Sequence, residues 1–173
     1  MGIPAPYMLG GPPTHLPFLV DYFKKNSEFE IKTFYFGSKI VIQNFIPGLK
    51  EDWKVLIFGN KFYVINRKTR PNDFRASGSG IISYQHNLSD GFLDFAERTF
   101  KYFNVPNMAM DIAFDGNSFY LIEFQMIYFG SYTLDKSPFY FIKKENKWDI
   151  VNSTSILEEE YVESIIQFIS NNN

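Results

Sequence analysis

The stretch MAMDIAFDGNSFYLIEFQ, Met108–Gln125, carries two acids and an amide at spacings that invite chemistry. Two apolar runs flank Asp115-Gly116-Asn117, which reads as a hairpin turn. Strand side chains alternate between faces, so parity decides which residues share a face. Met108, Met110, Ile112, Phe114, Tyr120, Ile122 and Phe124 occupy even positions and are all apolar or aromatic. Asp111, Glu123 and Gln125 occupy odd positions. A three- or five-residue turn centred on Gly116 pairs Asp111 with Leu121. It puts Asp111 and Glu123 on one face as diagonal neighbours, ~7–8 Å apart, and an even-length turn breaks that arrangement. Carboxylates this close repel unless something neutralises them. A hard cation such as Mg²⁺ does so and leaves coordination positions for phosphate oxygens. The plainer alternative is that both acids face solvent or pair with lysine or arginine.

A second cluster lies upstream. RPNDFRASGSG, Arg70–Gly80, holds two arginines, one acid and one large apolar side chain, Phe74. A plain turn needs no guanidinium groups and a buried strand would not tolerate two. An anion is what such a loop could hold. The Ser77–Gly80 run lets the chain turn back.

The elements that must position these residues follow from periodicity. Strand patterns cover Ile31–Phe36, Lys39–Ile46, Trp53–Phe58, Phe62–Arg67, Ile81–Tyr84, Met108–Phe114, Ser118–Gln125, Phe139–Lys143 and Lys147–Val151. Helical patterns cover Phe18–Lys25, Asp90–Phe103 with Ser89 as N-cap, and Ile156–Ile169. In the last, Ser155 and Glu158 match a capping box, and Val162, Ile165, Ile166 and Ile169 read as the core-facing stripe. Hairpins outnumber helices and do not alternate with them. The expected fold class is therefore α+β, an antiparallel sheet of hairpins packed with two or three helices.

Length and composition set outer limits. The chain has 173 residues, 19% of them aromatic, enough for one domain with a thick core. Residues 1–37 read as an arm, a short helix and a first strand, and residues 38–173 as a compact domain. The net charge of −2 gives no reason to expect nucleic acid or an anionic membrane as partner. With no cysteine and two histidines, thiol chemistry is excluded and a His-rich metal site is disfavoured. No signal peptide and no apolar run of membrane-spanning length is visible, so a soluble, cytoplasmic protein is expected.

Taken in order, three segments resemble the C-terminal part of the ATP-grasp superfamily. VIQNFIPG, Val41–Gly48, is similar to its hinge strand. EDWKVLIFGNKFYVINRKTRPNDFRASGSG, Glu51–Gly80, is similar to its next hairpin and loop. MDIAFDGNSFYLIEFQ, Met110–Gln125, is similar to its metal-binding strand pair. The resemblance spans roughly Lys39–Gly130 and is nearest to uncharacterised ATP-grasp proteins and ribosomal-protein glutamate-ligase-like enzymes.

That resemblance implies an ATP- and Mg²⁺-binding domain of a carboxylate–amine or carboxylate–nucleophile ligase acting through an acyl phosphate. Gln43 would help bind the nucleotide, backbone groups of Asn44, Phe45 and Ile46 would meet the adenine edge, and Asp52 would lie near the ribose or help set the following strand. Lys54 would face nucleotide or substrate, and Arg75 would reach the terminal phosphate or the acyl phosphate. Asp111, Glu123 and Gln125 would hold Mg²⁺, with Gln125 standing where the family has Asn. The implied partners are a nucleotide and a carboxylate substrate. Only Met1–Ser38 precedes the hinge-like strand, so the family's N-terminal subdomain, with its lysine and glycine-rich loop, has no counterpart here. The chain would then be a fragment, a naturally short relative, or half of an assembly in which a second copy or another protein supplies the rest. The alternative is a non-catalytic binding or self-assembly module on the same scaffold.

Overall fold

The computed structural model describes residues 45–73 and 75–172. The expected helix Phe18–Lys25, the strand Ile31–Phe36 and nearly all of Lys39–Ile46 lie outside the described residues. The chain divides into two units, Met1–Pro47 and Gly48–Asn173, and the elements below belong to the second.

The second unit is α+β. Seven strands form one antiparallel sheet: β1 (Glu51–Phe58), β2 (Lys61–Lys68), β3 (Ile82–Ser83), β4 (Asn107–Phe114), β5 (Phe119–Gln125), β6 (Tyr140–Lys144) and β7 (Lys147–Val151). Their order across the sheet is β5-β4-β1-β2-β6-β7, with β3 on β2. Three helices accompany them: α1 (Phe92–Phe103), α2 (Tyr132–Lys136) and α3 (Leu157–Asn172). The five-residue α2 has no periodic signal and was not expected from the sequence.

Alternation along β1, β2 and β4 feeds two cores. Trp53, Val55, Ile57, Phe62, Val64, Met108, Met110 and Ile112 point to one face, where Phe92, Leu93 and Ala96 of α1 cover them. Leu56, Phe58, Tyr63 and Ala109 point to the other, against Phe129, Leu134 of α2, and Leu157 and Tyr161 of α3. Lys143 ties β6 to α1 through Asp94 at 2.8 Å and Glu97 at 2.7 Å, and Trp148 Nε1 donates to Asp94 at 3.0 Å. The β6–β7 turn uses Glu145 and Asn146, both at positive φ, as a tight hairpin of this twist requires.

Three local expectations fail for identifiable reasons. Gly91, in the left-handed conformation, takes the N-cap of α1 in place of Ser89. Ser155 does not cap α3, because its hydroxyl is bonded to Tyr63 Oη at 2.7 Å. Helix α3 is also rolled away from the expected orientation. It buries Glu160 and Ser164 and leaves Val162, Ile165, Ile166 and Ile169 exposed. Lys61 on β2 recruits Glu160, and that ion pair decides which side of the helix faces inward.

Candidate functional site

The charged residues collect on the α2–α3 side of the sheet, at the end where β1 begins. Asp52 and Lys54 alternate with Trp53 on β1 and precede Leu56 and Phe58 on the same face. The register sets Asp52 beside Arg67, and Lys54 beside Ile65 on one side and Asp111 on the other. One strand face thus runs from ionic to apolar within seven residues, and α3 covers only its apolar end.

At the ionic end, Arg67 joins two carboxylates. Its Nε donates to Asp52 Oδ1 at 2.7 Å and its Nη2 to Asp52 Oδ2 at 2.8 Å, a bidentate pair. The same Nη2 lies 2.8 Å from Asp111 Oδ2. Lys54 Nζ donates to Asp111 Oδ1 at 3.1 Å. Asp52, Arg67 and Asp111 are all buried. Burial raises the Asp52 carboxyl above its ordinary value, more than the Arg67 hydrogen bonds and charge lower it. Burial also works against the Arg67 charge, but the two aspartates outweigh it and hold the guanidinium ionised.

Asp111 therefore pairs with a lysine and an arginine, the plainer of the two arrangements open to it from the sequence. Arg67 is the residue the sequence reading left without a role. Its signal was present: Asp52 and Arg67 flank the hairpin at equal distance from its Gly59-Asn60 turn, so antiparallel pairing must set them opposite each other.

Glu123 sits directly opposite Asp111, not diagonal to it, and Gln125 sits opposite Ala109. The turn between Phe114 and Phe119 has four residues, Asp115–Ser118, an even number. Taken alone, it would set Ile122 against Asp111 and send Glu123 to the far face. A bulge restores the parity: Ile112 pairs with Leu121 and Asp111 with Glu123, leaving Ile122 as the extra residue. All three residues therefore share a face, by a route that the spacing did not foresee. Glu123 is exposed and accepts a 3.1 Å hydrogen bond from the Gln125 amide nitrogen.

The Arg70–Gly80 loop is organised around its own acid. Asp73 accepts from Arg75 Nε, Nη2 and backbone N–H, each at 3.0 Å. Arg70 lies 3.8 Å from the same carboxylate and donates to the Gly78 carbonyl. The Arg75 hydrogen bonds hold the Asp73 carboxyl down at about 2. The Arg75 side chain is 63% exposed. Between this loop and the sheet lies a cavity of about 240 Å³, lined by Lys54 and Arg67, by Ser79 and Gly80, and by Tyr132 and Thr133 of α2. Ile65, Ala76 and Ile82 line it as well, so its wall is mostly apolar, and both cations there are paired with aspartates.

Of the residues expected at the nucleotide, Gln43 and Asn44 lie outside the described residues. Phe45 is exposed and Ile46 half-buried. Asp52 is engaged by Arg67 through both of its carboxylate oxygens. Among the described residues no group of three His, Cys, Asp or Glu side chains converges as a metal site. None of their helices is long and apolar enough to cross a membrane. Compared with family models, curated proteins and solved structures, the chain matches none.

Proposed function

We propose that this chain forms the nucleotide- and Mg²⁺-binding half of an ATP-grasp-type carboxylate ligase. In such a reaction a substrate carboxylate oxygen attacks the terminal phosphorus of ATP and ADP leaves. An amine or other nucleophile then attacks the acyl carbon and phosphate leaves. The observation that carries this reading is the shared sheet face. Glu123 lies opposite Asp111, and Lys54 and Arg67 stand beside Asp111 at the wall of a cavity.

The residues fit the demand in kind. Mg²⁺ characteristically takes one or two carboxylates together with phosphate oxygens. Asp111, Glu123 and the Gln125 carbonyl would provide the protein share, and a bound Mg²⁺ would neutralise phosphate charge. Lys54 and Arg67 would then exchange Asp111 for phosphate oxygens, freeing the carboxylate. Arg75 would close on the terminal phosphate from the loop. Such chemistry relies on positioning and charge neutralisation more than on acid–base groups. The glycine-rich loop and lysine of the ATP-grasp resemblance would come from another segment or protein.

Calorimetric titration with Mg·ATP tests this. Wild type gives binding heat, and Glu123→Ala, an exposed change that spares the fold, abolishes it. Lys54→Met removes a charged hydrogen bond worth about 1.5–3 kcal/mol, so affinity falls roughly ten- to hundredfold. A wild-type chain that gives no heat with Mg·ATP sinks the proposal.

A further inference from the structure

The cavity between the Arg70–Gly80 loop and the sheet joins an apolar wall to unused hydrogen-bond donors. Strand register builds the wall. Lys54 on β1 stands beside Ile65 on β2, and Arg67, two residues further along the same face, stands beside Ile82 on β3. Ala76 adds to the wall from the loop. The donors follow from counting. An ammonium carries three N–H groups and a guanidinium five. Lys54 gives one of its three to Asp111. Arg67 commits Nε and Nη2 to Asp52 and Asp111. Two N–H groups of Lys54 and the two of Arg67 Nη1 therefore have no partner among the described residues. The same aspartates cancel both positive charges, and Glu123, opposite Asp111, adds a negative one. Without Mg²⁺, an entering anion meets donors but no net positive charge to offset its lost hydration. A neutral acceptor gives up far less hydration and takes the same hydrogen bonds.

The geometry points to a binding site for a neutral, largely apolar molecule that carries a carbonyl oxygen, a ketone, aldehyde or ester. The oxygen accepts from Lys54 Nζ and Arg67 Nη1, and the body packs on Ile65, Ala76 and Ile82. Volume sets the size. An apolar cavity of about 150 Å³ holds benzene, so at that rate this one holds roughly ten non-hydrogen atoms; its volume is about 240 Å³. A pure hydrocarbon would cover the free N–H groups and leave them unpaired, which counts against it. A head group that also donates gains nothing from Lys54 or Arg67, because neither side chain has an acceptor. The inference goes beyond the nucleotide reading and does not rest on it.

Amide-resolved NMR titration with acetophenone tests the site, against two probes of the same size and shape. α-Methylstyrene has a methylene in place of the oxygen, and benzoate has a charged oxygen in place of the methyl group. Acetophenone shifts the amides of Ile65, Ala76 and Ile82 saturably, in the millimolar range open to so small a ligand. α-Methylstyrene binds about tenfold more weakly, the loss of one charge-assisted hydrogen bond. Benzoate also binds more weakly than acetophenone. Lys54→Met keeps an aliphatic stem and leaves Asp111 paired with Arg67. It lowers acetophenone affinity several-fold and leaves α-methylstyrene unchanged. Ile82→Ser, at a position 37% exposed on the short β3, weakens both, and far-UV circular dichroism confirms that both variants fold. Shifts that do not saturate, or that fall elsewhere on the chain, overturn the proposal. So does α-methylstyrene binding as tightly as acetophenone, which makes the cavity an apolar cleft alone. Benzoate binding more tightly than acetophenone overturns it in favour of an anion site. None of these outcomes bears on the heat of Mg·ATP binding, which tests the nucleotide reading separately.

Discussion

Arg67 is the residue on which the ionic end of the sheet depends. It answers two buried carboxylates, and no other cation reaches Asp52 at ion-pair distance among the described residues. Arg67→Ala leaves Asp52 buried and unpaired, which costs about 3–5 kcal/mol and is read directly in urea denaturation. Lys54→Met leaves Asp111 still held by Arg67, so its effect on stability is much smaller. Asp73, half-buried and bound to Arg75, titrates the other way from Asp52. Its folded value of about 2 lies below its ordinary 3.8. The contribution of this pair is therefore complete above pH 3.8 and is lost as pH falls through about 2. A carboxyl NMR titration reads a midpoint near 2 in wild type, and Arg75→Ala returns it toward 3.8. These residue-level partnerships could be guessed only where a hairpin fixed the register in advance, as for Asp52 and Arg67. The pairing of Lys54 with Asp111 needed β4 to lie against β1, a contact between residues 57 positions apart.

Elements differ in how far their sequence spoke for them. The β1–β2 and β4–β5 hairpins announced themselves through alternation and turn residues, and their bounds hold to within two residues. The bulge at Ile122 did not, because nothing local marks one extra residue in an apolar strand. Helix α3 shows the same limit more sharply. Its stripe of Val162, Ile165, Ile166 and Ile169 reads as a buried face, yet Lys61, nearly a hundred residues earlier, draws Glu160 inward instead. Lys61→Met leaves Glu160 buried and unanswered, costing about 3 kcal/mol. Lys61→Met with Glu160→Met recovers most of that loss, because the desolvated charge goes as well. A double-mutant cycle in urea measures both. Both carboxylates hold the Lys61 ammonium above its ordinary 10.5, against the effect of burial. Its contribution is therefore whole below pH 10.5 and fades only as pH rises through the elevated folded value.

For the unit Gly48–Asn173 as a whole, three strands each serve both cores. Loss of β1, β2 or β4 removes residues from the α1 face and the α3 face together. Unfolding of this unit is expected to be one cooperative transition. Tryptophan fluorescence, which reports the α1 face through Trp53 and Trp148, and far-UV circular dichroism, which reports helices on both faces, then coincide in urea. Separate midpoints would mean that the two layers melt independently. Composition and periodicity by themselves determined the α+β class and the antiparallel hairpins, because those properties depend on neighbours within a strand or across a short turn. Only the tertiary structure decided that Asp111 is neutralised by Lys54 and Arg67, that a bulge sets Glu123 opposite it, and that α3 faces solvent with its isoleucines. Each of those depends on which distant charge or strand arrives alongside, and that free-energy balance is struck between elements rather than within them.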